Sequence, residues 1–183
     1  MRINLVTTNK HKVEEFKEIL GKRIKINHLE IDYPELRSDY PEEIVMMAAK
    51  QLADKIKKPV VVEDSGLFIK ALKGFPGTCS AYIHKRIGLE GILKLMKGVK
   101  NRECMYISAV GYCEPGKKPL SFLGVEKGVI SKKIRGKCGF GHDPIFIPEG
   151  HKKTYGEMPD VKKIKKFRRK AVLGLLGYLK KRE

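Results

Sequence analysis

The sequence predicts an α/β fold, and three observations support this class. Residues 2–6 alternate as a strand does, and a polar loop then leads into apolar residues at helical spacing. Residues 59–62 are short, apolar and β-branched, which is typical of a strand covered on both faces in a parallel sheet. Residues 41–56 carry an apolar stripe at helical spacing, so helices and strands alternate along the chain.

The first strand is followed by the loop T-T-N-K-H-K, which ends at Lys12. Asn9 is a suitable N-cap for the helix that follows, and Gly21 is a suitable end for it. A helix N-terminus directs its dipole and backbone N–H groups at an anion, and a bound phosphate would offset the cation in the first turn. The same residues also fit a capped helix with two solvated lysines.

A turn-rich segment, Y-P-E-L-R-S-D-Y-P, precedes the second helix, which Pro41 opens. The strand after that helix delivers Glu63 and Asp64 at its C-terminal end, where open α/β sheets place their ligands. Buried carboxylates need a partner, and a hard cation such as Mg²⁺, shared with Glu35, would supply one. One carboxylate could then take a proton from attacking water. A capping Asp before a Ser-Gly turn explains the pattern equally well.

The stretch G-F-G-H-D-P, residues 139–144, combines a ring and a carboxylate between flexible glycines. Phe140 could stack on a base and Asp143 could accept hydrogen bonds from its edge. A core Phe and an Asp-Pro turn are the alternative.

The rest of the chain completes the predicted fold. Strands are expected at residues 105–112 and 120–130. One lysine-rich helix, residues 161–179, is expected to close a single domain that spans residues 1–183.

Composition narrows the classes of partner. The formal net charge of +18 favours polyanions of any kind. The basic run 162–170 is typical of the solvated face of an amphipathic helix, and no nucleic-acid motif is present, so nucleic acid is not expected. Neither a signal peptide nor a long apolar run is visible, so the sequence predicts a cytoplasmic protein without membrane association. The four separate cysteines suggest no zinc site.

Taken in order, these motifs resemble the inosine triphosphate pyrophosphatase family over nearly the whole chain. The family patterns T-G-N-x-x-K-x-x-E, P-E, E-D-S/T-G, G-x-P-G, F-G-x-D-P-x-F and T-[FY]-A-E-M resemble segments that begin at Thr7, Pro34, Glu63, Gly74, Phe140 and Thr154. The resemblance implies an elongated two-lobed α/β fold with a long mixed sheet, flanking helices and a nucleotide cleft between the lobes. It also implies a homodimer and hydrolysis of ITP, dITP and XTP to monophosphate and pyrophosphate.

The resemblance also implies the roles of individual residues. Asp64 is the expected proton acceptor, and Glu35 and Asp64 are the expected Mg²⁺ ligands. The expected substrate-binding residues are Thr7, Thr8, Asn9, Lys12, Ser65, Phe140, Gly141, His142, Asp143, Lys163 and Arg168.

Two departures from the family pattern bear on activity. Thr8 replaces a glycine, and the family's S-H-R, which contacts the purine, appears as K-F-R and keeps only Arg168. An arginine can donate to the 6-keto oxygen of hypoxanthine or xanthine, so rejection of ATP could survive. A degenerate relative that binds nucleotide or nucleic acid without efficient turnover is the alternative.

Overall fold

The computed structural model describes residues 2–21, 24–34 and 36–182. The strands are β1 (Arg2–Val6), β2 (Lys25–Leu29), β3 (Val60–Ile69), β4 (Pro76–Gly77), β5 (Glu103–Cys113), β6 (Leu120–Ile130) and β7 (Phe146–Pro148). The α-helices are α1 (Lys10–Leu20), α2 (Pro41–Ile56), α3 (Ser80–Leu95), α4 (Val161–Ile164) and α5 (Phe167–Lys180).

The strands form one seven-stranded mixed sheet in the order β2-β1-β3-β5-β6-β7, with β4 paired to β3. Strand β1 runs parallel to both β2 and β3, whereas β4 and β7 are antiparallel to β3 and β6. Helices flank this sheet. The predicted α/β class with a mixed sheet is therefore confirmed.

The chain divides into two compact units. The first contains the described residues of 1–64, 108–124 and 166–183, and the second contains residues 65–107 and 125–165. Strands β3, β5 and β6 each contribute residues to both units. The expected single functional domain stays a prediction.

The core of the first unit consists of two apolar clusters on opposite faces of its strands. Leu5 and Val61 belong to the first cluster, with apolar side chains of α1 and α5. Val6 and Val62 belong to the second cluster, with the stripe of α2. Successive strand residues point to opposite faces, so this alternation assigns a face to every residue of β1 and β3 in this unit.

The C-terminal segment differs from the single helix that its periodicity predicts. Helix α4 ends at Ile164, and Lys165 has φ −53° and ψ 124°, which is extended and ends the helical hydrogen bonding. Helix α5 begins with Phe167, two residues after Lys165, and the Phe167 side chain is buried in the core. Among the helices of the described residues, none is both long and apolar enough to cross a membrane.

Candidate active site

The loop between β1 and α1 is a tightly bonded turn. Asn9 caps α1 as predicted, because its Oδ1 accepts from the amides of His11 (3.0 Å) and Lys12 (3.3 Å). The amide of Asn9 in turn donates to Thr7 Oγ1 (3.1 Å). Thr8 is exposed and has no positive φ, so the backbone here does not require the family's glycine. The turn thus presents the amino-terminal end of a helix together with polar side chains.

The register of the sheet places this turn beside the acids of β3. Leu5 pairs with Val61 in parallel strands. Strand β1 ends one residue after Leu5, whereas β3 continues through Glu63 and Asp64. Lys12 Nζ, just after the turn, lies 3.0 Å from Glu63 Oε2. The T-T-N and E-D-S motifs therefore lie next to each other although more than 50 residues separate them in the sequence.

The two acids point to opposite faces of the sheet. Because Val61 belongs to the first apolar cluster and Val62 to the second, Glu63 points towards α1 and α5, and Asp64 points to the side of α2. The expected Mg²⁺ ligands, Glu35 and Asp64, stay a prediction, and Glu63 faces the other side of the sheet from Asp64. Their separation gives the two carboxylates different surroundings.

Glu63 lies in a buried charge cluster with Lys12, Glu15, Ser108 and Arg168. Its Oε1 accepts from Arg168 Nε (3.0 Å) and Ser108 Oγ (2.5 Å), and its Oε2 lies 3.0 Å from Lys12 Nζ. Lys12 Nζ also donates to the backbone carbonyl of Glu63 (2.8 Å). Arg168 Nη1 bonds Glu15, so two cations balance two carboxylates.

These charges stabilise one another in a place where each alone would be costly. Burial by itself would raise the pKa of Glu63, but Arg168 and Lys12 outweigh it and lower the pKa to about 2. Burial would likewise lower the pKa of Arg168, whereas Glu63 and Glu15 raise it above its ordinary value. Glu63 is thus a carboxylate and Arg168 a cation at every physiological pH.

Arg168 is 1% exposed, and its guanidinium contacts two carboxylates, those of Glu63 and Glu15. Its role as a substrate ligand stays a prediction.

Asp64 and Ser65 are half-buried on β3. Glu35, the expected second metal ligand, lies outside the described residues. Ile31 and Tyr33, which precede it, pack on the second apolar cluster, to whose side Asp64 points. No group of three His, Cys, Asp or Glu side chains suited to a metal occurs in residues 2–21, 24–34 and 36–182. Mg²⁺ needs only one or two carboxylates besides phosphate oxygens and water.

The glycine that follows these residues has a steric explanation. A Cβ on Gly66 would meet the backbone oxygen of Gly77 at 2.0 Å, because β3 and β4 approach closely there. The motifs E-D-S-G and G-x-P-G are therefore joined by one backbone contact in the second unit. This contact fixes the strand immediately after Asp64.

A second group of charged and aromatic residues, the Asp143 cluster, comprises Tyr106, Phe140, Asp143, Tyr155 and Lys165. Asp143 is 1% exposed and accepts from the Phe140 amide (2.7 Å) and the Tyr106 hydroxyl (3.3 Å). Lys165 Nζ lies 2.7 Å from Asp143 Oδ2 and 4.3 Å from the centre of the Phe140 ring. The predicted ring and carboxylate are thus brought together, with a buried ammonium group beside both.

The glycines of G-F-G-H-D shape this loop. Gly139 has φ +74°, and a Cβ there would meet Asp143 Oδ2 at 2.0 Å, so only glycine fits. Gly141 has φ +61° with open space around it. His142 is 3% exposed and packs edge-on against His84, with ring centres 5.1 Å apart. Burial, and secondarily His84, lowers the pKa of His142 to about 4.

The two lysines on either side of the α4 end have different surroundings. Lys163, which the resemblance assigns to substrate, has a side chain 65% exposed and lies 3.8 Å from Asp160. Lys165 was not predicted, yet it is the lysine of this segment that is buried against Asp143. Its position four residues after Val161, on the apolar stripe, is the signal that could have identified it. The neighbouring T-Y-G-E-M motif forms a capping box between Thr154 and Glu157.

The fold and these clusters place the chain among α/β proteins that present a helix N-terminus and acidic strand residues together. The chain belongs to the Ham1 family, whose model matches residues 3–178. This match confirms the resemblance that the motifs indicated.

Relatives and solved structures agree with this assignment. A dITP/XTP pyrophosphatase of Methanopyrus kandleri is 50% identical over 86% of this chain and 85% of its own. A dITP/XTP pyrophosphatase of Pyrococcus horikoshii is 44% identical over 98% of this chain and 97% of its own. The Ham1 protein of Staphylococcus aureus has a similar structure, with a TM-score of 0.86 at 25% identity and complete coverage of both chains. A HAM1 protein of Coxiella burnetii gives 0.84 at 26% identity, with 99% of each chain covered.

Proposed function

We propose that this chain hydrolyses non-standard purine nucleoside triphosphates, namely ITP, dITP and XTP, to the monophosphate and pyrophosphate. This activity would remove such nucleotides from the cellular pool. The observation that carries the proposal is membership of the Ham1 family, with relatives named dITP/XTP pyrophosphatase at 44% and 50% identity over most of the chain. The T-T-N turn beside the acids of β3 agrees with it.

In the proposed reaction, the oxygen of water attacks the α-phosphorus. The bond from that phosphorus to the oxygen shared with the β-phosphorus breaks, and pyrophosphate leaves with that oxygen. Asp64 is the proposed proton acceptor, since it is half-buried at the level of the turn and points away from the buried charge cluster. Lys12 and the α1 N-terminus would hold the phosphates.

Mg²⁺ is the proposed cofactor, with Asp64 and Glu35 as its protein ligands. When bound, the ion would neutralise phosphate charge and orient the triphosphate. A half-buried carboxylate beside a phosphate-binding turn is a donor set that suits Mg²⁺.

Phe140 and Asp143 are the proposed base-binding residues. The Phe140 ring offers a stacking surface, and Asp143 is held rigidly by three donors. We further propose a cytoplasmic location, as the sequence predicted, and a homodimer, as the resemblance implied. Light scattering on the purified protein would report the subunit number.

The test of the proposed function is a panel of ITP, dITP, XTP, GTP and ATP with and without Mg²⁺, each product separated by chromatography. We expect the monophosphate and pyrophosphate from the first three, only when Mg²⁺ is present. Release of inorganic phosphate and a diphosphate would contradict the proposed bond cleavage. Equal rates for all five nucleotides would contradict the proposed substrate class.

A second candidate is nucleotide binding without turnover. Burial of Arg168 against Glu63 and Glu15 favours it, because the chain keeps only the arginine of the family's S-H-R and that side chain is held by two carboxylates. Titration calorimetry with dITP, run beside the product assay, separates the two candidates. Binding without any product would support the second.

A further inference from the structure

Arg168 lies in the first turn of α5, and its guanidinium joins two carboxylates of other elements. Nε donates to Glu63 of β3 at 3.0 Å, and Nη1 bonds Glu15 of α1. Its side chain is 1% exposed, and those of its two partners are no more than 3% exposed. Arginine is suited to this buried position because its planar guanidinium can donate hydrogen bonds to two carboxylates at once.

Glu63 connects this arginine to Lys12. The same carboxylate whose Oε1 accepts from Arg168 and Ser108 lies with its Oε2 3.0 Å from Lys12 Nζ. Lysine has a flexible stem and would otherwise sample many rotamers. An ion pair with the Glu63 side chain and a hydrogen bond to the Glu63 backbone carbonyl hold the ammonium in one place. The orientation of Glu63 therefore decides where the charge of Lys12 lies.

We propose that Arg168 is a positioning residue of the triphosphate site: it orients Glu63, which holds Lys12 in place for the phosphates. This inference rests on the proposed function, and it differs from the purine contact that the resemblance implies. A purine contact predicts an effect that depends on the base. A positioning role predicts the same loss for every base and for a triphosphate that has no base.

The first experiment compares the wild type with Arg168→Lys and Arg168→Met. Steady-state kinetics are measured with ITP, dITP and XTP, and binding of inorganic tripolyphosphate with Mg²⁺ is measured by calorimetry. We expect KM to rise about tenfold or more for every nucleotide, with kcat little changed and the ranking of bases preserved. Tripolyphosphate affinity should fall by a similar factor. An effect confined to some bases, or unchanged tripolyphosphate affinity, would overturn the inference.

A matched control and a milder variant distinguish a specific effect of Arg168 from loss of the native fold. Arg182→Met removes an arginine that is 41% exposed and bonds Glu114 and Tyr178, so all constants should stay at wild-type values. Glu15→Gln keeps the Arg168–Glu63 bond but weakens the other end of the guanidinium. It should shift KM in the same direction by a smaller factor, and circular dichroism should show a native fold.

The decisive readout is a double-mutant cycle between Arg168→Lys and Lys12→Met on tripolyphosphate affinity. If Arg168 acts through Lys12, its substitution has little further effect once Lys12 is gone. Full additivity of the two losses would overturn the inference, as would a wild type that binds no tripolyphosphate. A wild type that binds tripolyphosphate but hydrolyses no nucleotide would contradict the proposed function alone, since the cycle needs no turnover.

Discussion

Each unit of the molecule contains one buried carboxylate that is paired with a buried cation of the C-terminal segment. In the first unit Glu63 pairs with Arg168, and in the second Asp143 pairs with Lys165. Arg168 bridges two carboxylates with its fork, whereas Lys165 pairs with one carboxylate and faces the Phe140 ring. Similar buried pairs therefore have different neighbours, because the first lies against the ammonium group of Lys12 and the second against an aromatic ring.

The largest effect should come from removing each cation in turn. Arg168→Met removes a cation that two buried carboxylates share, although Lys12 remains beside Glu63. Lys165→Met removes the cation beside one carboxylate. We expect losses of unfolding free energy of about 5 kcal/mol and about 3 kcal/mol respectively, measured by urea denaturation at pH 7. Equal losses of unfolding free energy would mean that Glu15 contributes nothing to the buried charge cluster of Glu63. The expected difference between the two pairs would then be absent.

The next largest effect should be on the pH dependence of stability, which we expect to differ between the two units. The pKa of His142 is about 4 in the folded protein and 6.5 for an unperturbed side chain, so the unfolded chain binds more protons between these pH values. Stability in the second unit therefore falls as the pH drops from 6.5 to 4, by on the order of 3 kcal/mol. His142→Asn should flatten that slope in urea denaturation at a series of pH values.

Glu63 affects the stability of the first unit at a lower pH than His142 affects the second. Its pKa is about 2 when folded against an ordinary 4.5, so its contribution is complete above pH 4.5 and is lost as the pH falls towards 2. Glu63→Gln should therefore reduce the slope below pH 4.5 and leave the slope between 6.5 and 4.5 unchanged. If Glu63→Gln abolished the slope in both pH ranges, the two ranges could not be assigned to His142 and Glu63 separately.

A smaller effect should distinguish base binding from phosphate binding. Phe140→Ala removes the ring but keeps the backbone amide that donates to Asp143. We expect KM for dITP to rise about tenfold, because one stacked base contributes about 1–3 kcal/mol. Tripolyphosphate affinity should stay at the wild-type value. A matching loss of tripolyphosphate affinity would indicate that Phe140 serves the phosphates.

The smallest effect should come from Lys163→Ala. This side chain is 65% exposed and 3.8 Å from Asp160, so its loss should change stability by less than about 0.5 kcal/mol and KM for dITP less than about twofold. Lys162→Ala, an exposed neighbour, is the control. A large rise in KM for Lys163→Ala alone would support the role that the resemblance implies.

Local features could be predicted from the sequence because neighbouring residues determine them. The Asn9 cap, Pro41 at the start of α2 and the buried strand β3 all depend on nearest neighbours, and the structure has each of them. The family resemblance depended on the order in which these short motifs occur along the chain. None of these signals required knowledge of distant contacts.

The pairing of charges could not be predicted because the partners are far apart in the chain. Arg168 and Glu63 are separated by 105 residues, and a lysine-rich run gives no sign of which cations are buried. The break after Ile164 turns Lys165 and Arg168 inward, although periodicity predicted one continuous helix. Both residues lie on the apolar stripe at spacings of four from Val161 and Ile164, which is the only local indication of their burial.

Asp64, and not its neighbour Glu63, is the proposed proton acceptor in pyrophosphate release. The most direct measurement is the rate of pyrophosphate release from dITP with Mg²⁺ for Asp64→Asn, with the exposed Asp160→Asn as control. We predict a loss of about a thousandfold for Asp64→Asn and none for the control, with the native fold verified by circular dichroism. A folded Asp64→Asn variant that releases pyrophosphate at the wild-type rate would contradict this assignment.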